Sequence, residues 1–368
     1  MSKKLFSPVT LNDLELKNRV VMAPLTRSRA VEDNAPNDLM KEYYGQRTGA
    51  SLIITEGTSP SPNGLGYPRI PGAFSDAQIE GWKEITDRVH EDDTKMFLQI
   101  MHTGRISHPL NFPNEGEYAE VLAPSAVQAD GKMYTDQEGE QPHPTPRAMN
   151  AQDLEDTLNE YVSTAQKAIF NAHFDGVELH AANGYLLNQF LHPKSNVRTD
   201  EYGGSVENRA RYVLEVNNAV VAEIGADKVG MRVSPYGAMN DLGAHDEIEE
   251  MFTYLSKELK KIGIQYIHIV DHESMGAPGA PESIKKIIRE NFGGNIILSG
   301  GYDAERAEQD LQAGKGELVA FGRPFIANPD LVKRMKEGAE LNEPDQDTFY
   351  TPGAEGYTDY PVLEEVEA

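Results

Sequence analysis

The run Gly176-Val177-Glu178-Leu179-His180-Ala181-Ala182-Asn183-Gly184-Tyr185 (GVELHAANGY) opens on a short apolar segment and breaks at Asn183-Gly184. An amphipathic stretch follows at Glu207–Ile224, and a second apolar run, VGMRV, occupies Val229–Val233. Strand, helix and strand over this length form a βαβ unit, in which a crossover helix joins parallel strands. The alternation recurs in both directions. Apolar runs stand at Arg19–Ala23, Ser51–Thr55, Lys95–Met101, Tyr266–Val270, Asn295–Leu298 and Leu318–Phe321. Amphipathic stretches stand at Asp76–Val89, Ala151–Asn171, Glu247–Ile262, Pro281–Asn291 and Ala304–Ala313. Eight such strands with crossover helices close naturally on themselves, so the expected fold is α/β, a (β/α)8 TIM barrel. An open doubly wound sheet is the alternative; no G-x-G-x-x-G loop follows the first strand, which argues against it.

Two segments depart from the repeat. Leu5–Leu16 reads as a β-hairpin turning near Asn12-Asp13, a lid over the N-terminal end of the barrel. The segment 102–149, after the third strand, is long and rich in Pro, Gly and charge, and is expected to cap the C-terminal face, where barrel enzymes keep their sites. No interdomain linker or repeat is visible, so residues 1–368 read as a single domain, with 363–368 a frayed tail.

The chain carries 34 basic against 59 acidic residues, a formal charge of −25. A field of that sign repels nucleic acid and anionic membranes, so neither is an expected partner. No apolar run approaches the roughly 20 residues of a membrane span, and the N-terminus shows no secretory apolar segment. There are no cysteines. That excludes disulfides, thiolate metal sites and a Cys nucleophile, and points to a cytoplasmic protein. His90, His245, His268 and His272 show no metal-ligand spacing, so no metal is expected. Monomer and homodimer stay equally open.

Chemistry in a barrel is sought where strands end. Gly300-Gly301 and Gly322-Arg323 end the seventh and eighth strands, the usual place for a phosphate held by backbone N–H groups and a charged fork. His180, Asn183 and Tyr185 follow the fourth strand. His180 and Asn183 lie three apart, so a helical turn would aim both at one oxygen. Tyr185 carries a proton at neutral pH. Two donors and a phenolic acid are what a conjugate reduction needs. Arg232 ends the fifth strand in apolar surroundings and needs an anionic partner; Gln99, in the third, offers a donor and an acceptor.

The run Phe174–Arg209 resembles the signature segment of the Old Yellow Enzyme family of FMN-dependent ene reductases. NRVVMAPLTR at Asn18–Arg27, LQIMHTGR at Leu98–Arg105, GMRVSP at Gly230–Pro235, SGGY at Ser299–Tyr302, FGRPFIANPDL at Phe321–Leu331 and FYTPGAEGYTDYP at Phe349–Pro361 are similar to other family segments, in the family's order. The resemblance implies a tightly bound, non-covalent FMN and NADPH or NADH as hydride donor. It implies that Pro24, Leu25, Thr26 and Gly57 line the flavin, that Gln99 takes its pyrimidine edge and that Arg232 faces N1 and O2. Gly301, Gly322 and Arg323 are implied to hold the phosphate. His180 and Asn183 are implied to grip the carbonyl or nitro group of an electron-poor alkene, or a phenolic ligand, with Tyr185 as proton donor. Tyr67, Met101 and Tyr350 are implied to wall the substrate cavity. Met101 stands where bacterial relatives often carry Trp, and the segments Met239–Glu247 and Asp271–Pro281 match the family poorly.

Two other functions compete. Flavin barrels acting on C–N bonds, as demethylases or dehydrogenases, often add an iron–sulfur cluster, which a cysteine-free chain cannot ligate. A metal-dependent hydrolase barrel has only the fold and ten histidines behind it.

Overall fold

In a computed structural model that describes residues 3–30, 32–113, 120–273, 276–277 and 279–363, eight parallel strands close into a barrel. They are β1 (Val20–Met22), β2 (Leu52–Ile54), β3 (Lys95–Ile100), β4 (Gly176–Ala181), β5 (Val229–Val233), β6 (Tyr266–Val270), β7 (Asn295–Ser299) and β8 (Leu318–Phe321). Each pairs with its neighbours in chain order, and β8 returns to β1 through Ala320 opposite Val21. The long crossover helices are α2 (Asp76–His90), α3 (Ala151–Phe170), α5 (Val206–Ile224), α6 (Ile248–Ile262), α7 (Glu282–Phe292) and α8 (Ala304–Gln312). Four shorter helices were not read from the sequence: α1 (Asp38–Gly45), α4 (Leu186–Leu191), α9 (Arg323–Ala327) and α10 (Leu331–Glu337). Among the described residues no helix is long and apolar enough to cross a membrane.

The strands obey a period of two, so each presents one set of side chains outward and the other into the lumen. Met96, Leu98, Ile100, Val177, Leu179, Ala181, Val229, Met231, Val233, Ile267 and Ile269 pack with the helices in the main core. Phe97, Gln99, Gly176, Glu178, His180, Gly230, Arg232, Tyr266 and His268 take the alternate positions. Two glycines there are spatial necessities. A Cβ on Gly176 would collide with the Phe97 ring, and one on Gly230 with the Tyr266 ring. Small opposite large is how such a lumen fills without a void.

At the N-terminal end the hairpin Val9–Leu11/Leu14–Leu16 turns through Asn12 at φ +52°. Its Leu11 and Leu16 join Val21, Leu52, Ile54, Phe97, Tyr266, Ile297 and Leu318 in a second apolar cluster that plugs the barrel. In the segment after β3, a hairpin (Lys132–Thr135/Gly139–Pro142) and a two-residue pairing of Leu122–Ala123 with Arg147–Ala148 give local order. Its Ile106, Phe112, Val121 and Met133 pack on Met101 and Tyr185, at the C-terminal end of the barrel. Of the expected frayed tail, residues 364–368 lie outside the described residues. Leu363 is tied down, its N–H donating to Asp330 Oδ2 at 2.7 Å, so fraying does not begin there.

Candidate functional site

β4 carries the candidate site. His180 points into the lumen in register with Arg232 on β5. Its Nδ1 accepts the Ala182 N–H at 3.3 Å, which leaves the proton of a neutral ring on Nε2. Burial, then the Arg232 charge, hold its pKa well below the ordinary imidazole value. The helical turn expected to align His180 with Asn183 is absent. The chain instead turns left-handed, with Asn183 at φ +58° and Gly184 at φ +78°, a conformation that asparagine takes more readily than most side chains. Asn183 is held from two other strand ends. Its N–H donates to Ser234 Oγ at 2.8 Å, its carbonyl accepts from Asn240 Nδ2 at 2.7 Å, and its Oδ1 lies 2.8 Å from His272 Nε2.

Tyr185 is the residue before α4. Its ring meets His180 edge-on at 4.9 Å and Tyr67 at 6.2 Å between centroids. The Tyr185 and Tyr67 hydroxyls are 3.0 Å apart. Burial, then Tyr67, push the Tyr185 phenol well above its ordinary pKa, so it keeps its proton. Asn183 is thus clamped by Asn240, from the segment Met239–Glu247 that matches the family poorly.

Beneath them lies a polar layer. Gln99 donates from Nε2 to Glu178 Oε1 at 2.8 Å, while Glu178 Oε2 accepts from the Tyr266 hydroxyl at 3.1 Å and meets His268 Nδ1 at 2.9 Å. Burial alone would raise the Glu178 carboxyl, but His268, Arg232 and these hydrogen bonds hold it below its usual range. Glu178 escaped the sequence reading although it stands two residues before His180, and so on the same face of β4. Arg232 is buried and its Nε has no partner among the described residues.

The remaining predicted residues lie around this mouth. Gly300 and Gly301 leave β7 at φ +132° and +64°, and a Cβ on Gly300 would strike Asp271. Gly322 and Arg323 leave β8, with Arg323 opening α9. Pairing of β7 with β8 and of β8 with β1 sets these turns beside Pro24, Leu25 and Thr26, and Leu25 Cδ2 lies 3.4 Å from where a Gly322 Cβ would stand. A Cβ on Gly57 would sit 2.5 Å from Met101 Sδ. Met101 is buried, packing with Tyr185, Leu65 and Ile70. Tyr350, by contrast, is 60% exposed.

Residues 4–342 match the family described as NADH:flavin oxidoreductase / NADH oxidase. The chain belongs to that family. It is 41% identical over 368 residues to 12-oxophytodienoate reductase 1 of Oryza sativa subsp. japonica, spanning 99% of this chain and 94% of the relative. It is 38% identical over 364 residues to a probable flavin mononucleotide-dependent alkene reductase of Leishmania infantum, spanning 98% and 97%. Among solved structures, morphinone reductase superposes with a TM-score of 0.93 at 44% identity, over 100% of this chain and 98% of that one. Its complex with tetrahydroNAD superposes at 0.92 with 44% identity, over 100% and 99%.

This flavin oxidoreductase is a relative of Old Yellow Enzyme, and FMN is the flavin its family implies. The residues present fit that group. A pyrimidine edge offers two carbonyl acceptors and an N–H donor; Arg232 supplies a buried, unpartnered N–H. Gln99, with Nε2 turned to Glu178, keeps its carbonyl oxygen uncommitted among the described residues.

A C-terminal strap closes one side of the flavin oxidoreductase's mouth. Arg27 donates to the carbonyls of Phe349 and Gly356 at 3.1 and 2.7 Å; Arg29 donates to those of Thr348, Phe349 and Glu355 at 2.8, 2.7 and 3.0 Å. Arg47 reaches the Tyr357 carbonyl at 3.2 Å. Tyr350 rides on this strap. Glu56, just past β2, is buried beside it, accepting the Arg27 N–H at 3.2 Å and the Tyr44 hydroxyl at 3.3 Å. Burial pushes its pKa up to about 7 against those bonds.

Proposed function

We propose that the chain is an NADPH- or NADH-dependent ene reductase acting on C=C bonds conjugated to a carbonyl or nitro group. The observation that carries this reading is the convergence at the end of β4 of a neutral imidazole, an anchored amide and a protonated phenol, with His180 in register with Arg232. The names of the rice and Leishmania relatives, and the tetrahydroNAD complex of morphinone reductase, support it.

When bound, FMN would supply the redox chemistry, hydride transfer from a nicotinamide to the β-carbon of the alkene in a ping-pong cycle. Pro24, Leu25, Thr26 and Gly57 would line its ring, Gln99 and Arg232 its pyrimidine edge, and Gly301, Gly322 and Arg323 its phosphate. His180 through Nε2–H and Asn183 through Nδ2–H donate to the substrate oxygen, drawing electron density from the β-carbon. Tyr185 gives its proton to the α-carbon. The Tyr67 hydroxyl remains to hydrogen-bond the phenolate left behind, which lowers the barrier to that transfer. Met101, Tyr67 and Tyr350 bound the cavity. The substrate partners are small molecules, and the cysteine-free sequence supports a cytoplasmic site of action.

The purified protein is expected to be yellow, to bleach with NADPH under anaerobic conditions and to recover its colour on addition of 2-cyclohexenone. A colourless preparation that takes up no added FMN would sink the reading.

A further inference from the structure

Asn183 has four polar groups, and three are committed. The backbone N–H is bound by Ser234, the carbonyl by Asn240, and Oδ1 faces His272 Nε2 at 2.8 Å. Only Nδ2 is left without a partner among the described residues. What that free atom is, donor or acceptor, depends on which way the amide is turned, and His272 is the group that decides it. The imidazole is buried, and its Nδ1 has no partner among the described residues. Were the amide reversed, Nε2 would have to accept from it, and the ring proton would sit on Nδ1 as a buried N–H with no acceptor among the described residues. Orphaned buried N–H groups are rarer than bare lone pairs. The arrangement with Nε2–H donating to Asn183 Oδ1 is therefore favoured, and burial with the Arg232 charge nearby keeps the ring neutral.

His272 is itself fixed. A Cβ on Gly237 would lie 2.9 Å from its Cε1, so the β5 turn presses on the ring where only glycine leaves room. Its neighbour Asp271 is anchored by the Glu273 and Ala280 N–H groups at 3.0 and 3.2 Å and by Lys285 at 2.9 Å.

We propose that His272 is a positioning residue that turns Asn183 into an obligate hydrogen-bond donor, so that the site selects ligands presenting an acceptor oxygen. The proposal rests on the ene-reductase reading, in which Asn183 meets the substrate oxygen. Both residues that hold the amide side, His272 and Gly237, lie outside the motifs that carry the family resemblance.

The test is spectral titration of the oxidised flavoprotein with 4-chlorophenol, whose phenolate oxygen is an acceptor. His272→Leu is expected to weaken binding roughly tenfold, because Asn183 Oδ1 loses its donor and the amide is free to reverse. In an Asn183→His background, where a ring N–H replaces the reversible amide, the same substitution should cost little. Unchanged affinity in His272→Leu overturns the proposal, as does an equal loss in both backgrounds, since the effect then does not pass through Asn183. Should His272→Leu fail to keep its flavin, Gly237→Ala displaces the same ring and is read by the same criteria. Absence of phenol binding in the wild-type protein would instead sink the underlying reading, and this inference with it.

Discussion

The two ends of the barrel lumen are built from the same strands and differ in what those strands face inward. Towards the N-terminal end the inward positions are Val21, Leu52, Phe97, Ile297 and Leu318, closed by Leu11 and Leu16 of the hairpin. One or two steps along β3 to β6 the inward set becomes Gln99, Glu178, His180, Arg232 and His268, all buried. The first end gains stability from apolar burial and touches no reactant. The second holds charges, and N–H groups unpartnered among the described residues, out of water, which costs stability unless a ligand completes them. The same pleat thus separates holding the barrel shut from doing chemistry by about 7 Å, the span of two residues.

That contrast can be broken or sharpened by substitution. The largest effect is expected at the polar end. Tyr185→Phe should slow alkene reduction by about 10²–10⁴-fold while anaerobic bleaching by NADPH and the melting temperature stay near wild type. An equal loss in both half-reactions would remove Tyr185 as the proton donor. At the apolar end, Leu16→Ala should do the reverse, lowering unfolding free energy by about 2–5 kcal/mol with turnover per bound flavin unchanged. Denaturant melts and flavin-normalised rates read the two sides separately, and a fall in turnover would show that the plug and the site are coupled.

The third effect, confined to a pH window, concerns Glu56. Its carboxyl titrates at about 7 when folded against an ordinary 4.5. Between those values the folded state binds the extra proton, so stability present at low pH is lost as pH rises through 7, by about 3 kcal/mol. Glu56→Gln removes that dependence. The stability of wild type relative to the variant should therefore fall across this window, and a difference that stays flat with pH would show that Glu56 titrates normally.

The barrel was legible because its strands are short apolar runs in which the helix-facing set alone is continuous, with amphipathic helices between them. Helix α1 was not, since Asp38–Gly45 buries Met40, Tyr43 and Tyr44 within a single short run that carries no second turn of the pattern. At the site, His180, Asn183 and Tyr185 were legible because they sit together in the chain, but the geometry assigned to them was wrong. A helical turn cannot run through Asn183 and Gly184 when both take positive φ. Asn240 and His272 were invisible for a different reason. They reach Asn183 from 57 and 89 residues away, so no local spacing announces them. Glu178 had a local signal, the period of two that it shares with His180.

The strap of residues 348–357 is gripped by Arg27, Arg29 and Arg47 through main-chain carbonyl oxygens. A grip on the main chain is indifferent to which side chain hangs from the gripped residue. The rim position occupied by Tyr350 can accordingly drift over evolutionary time, reshaping what the mouth admits, while the band that bears it keeps its place.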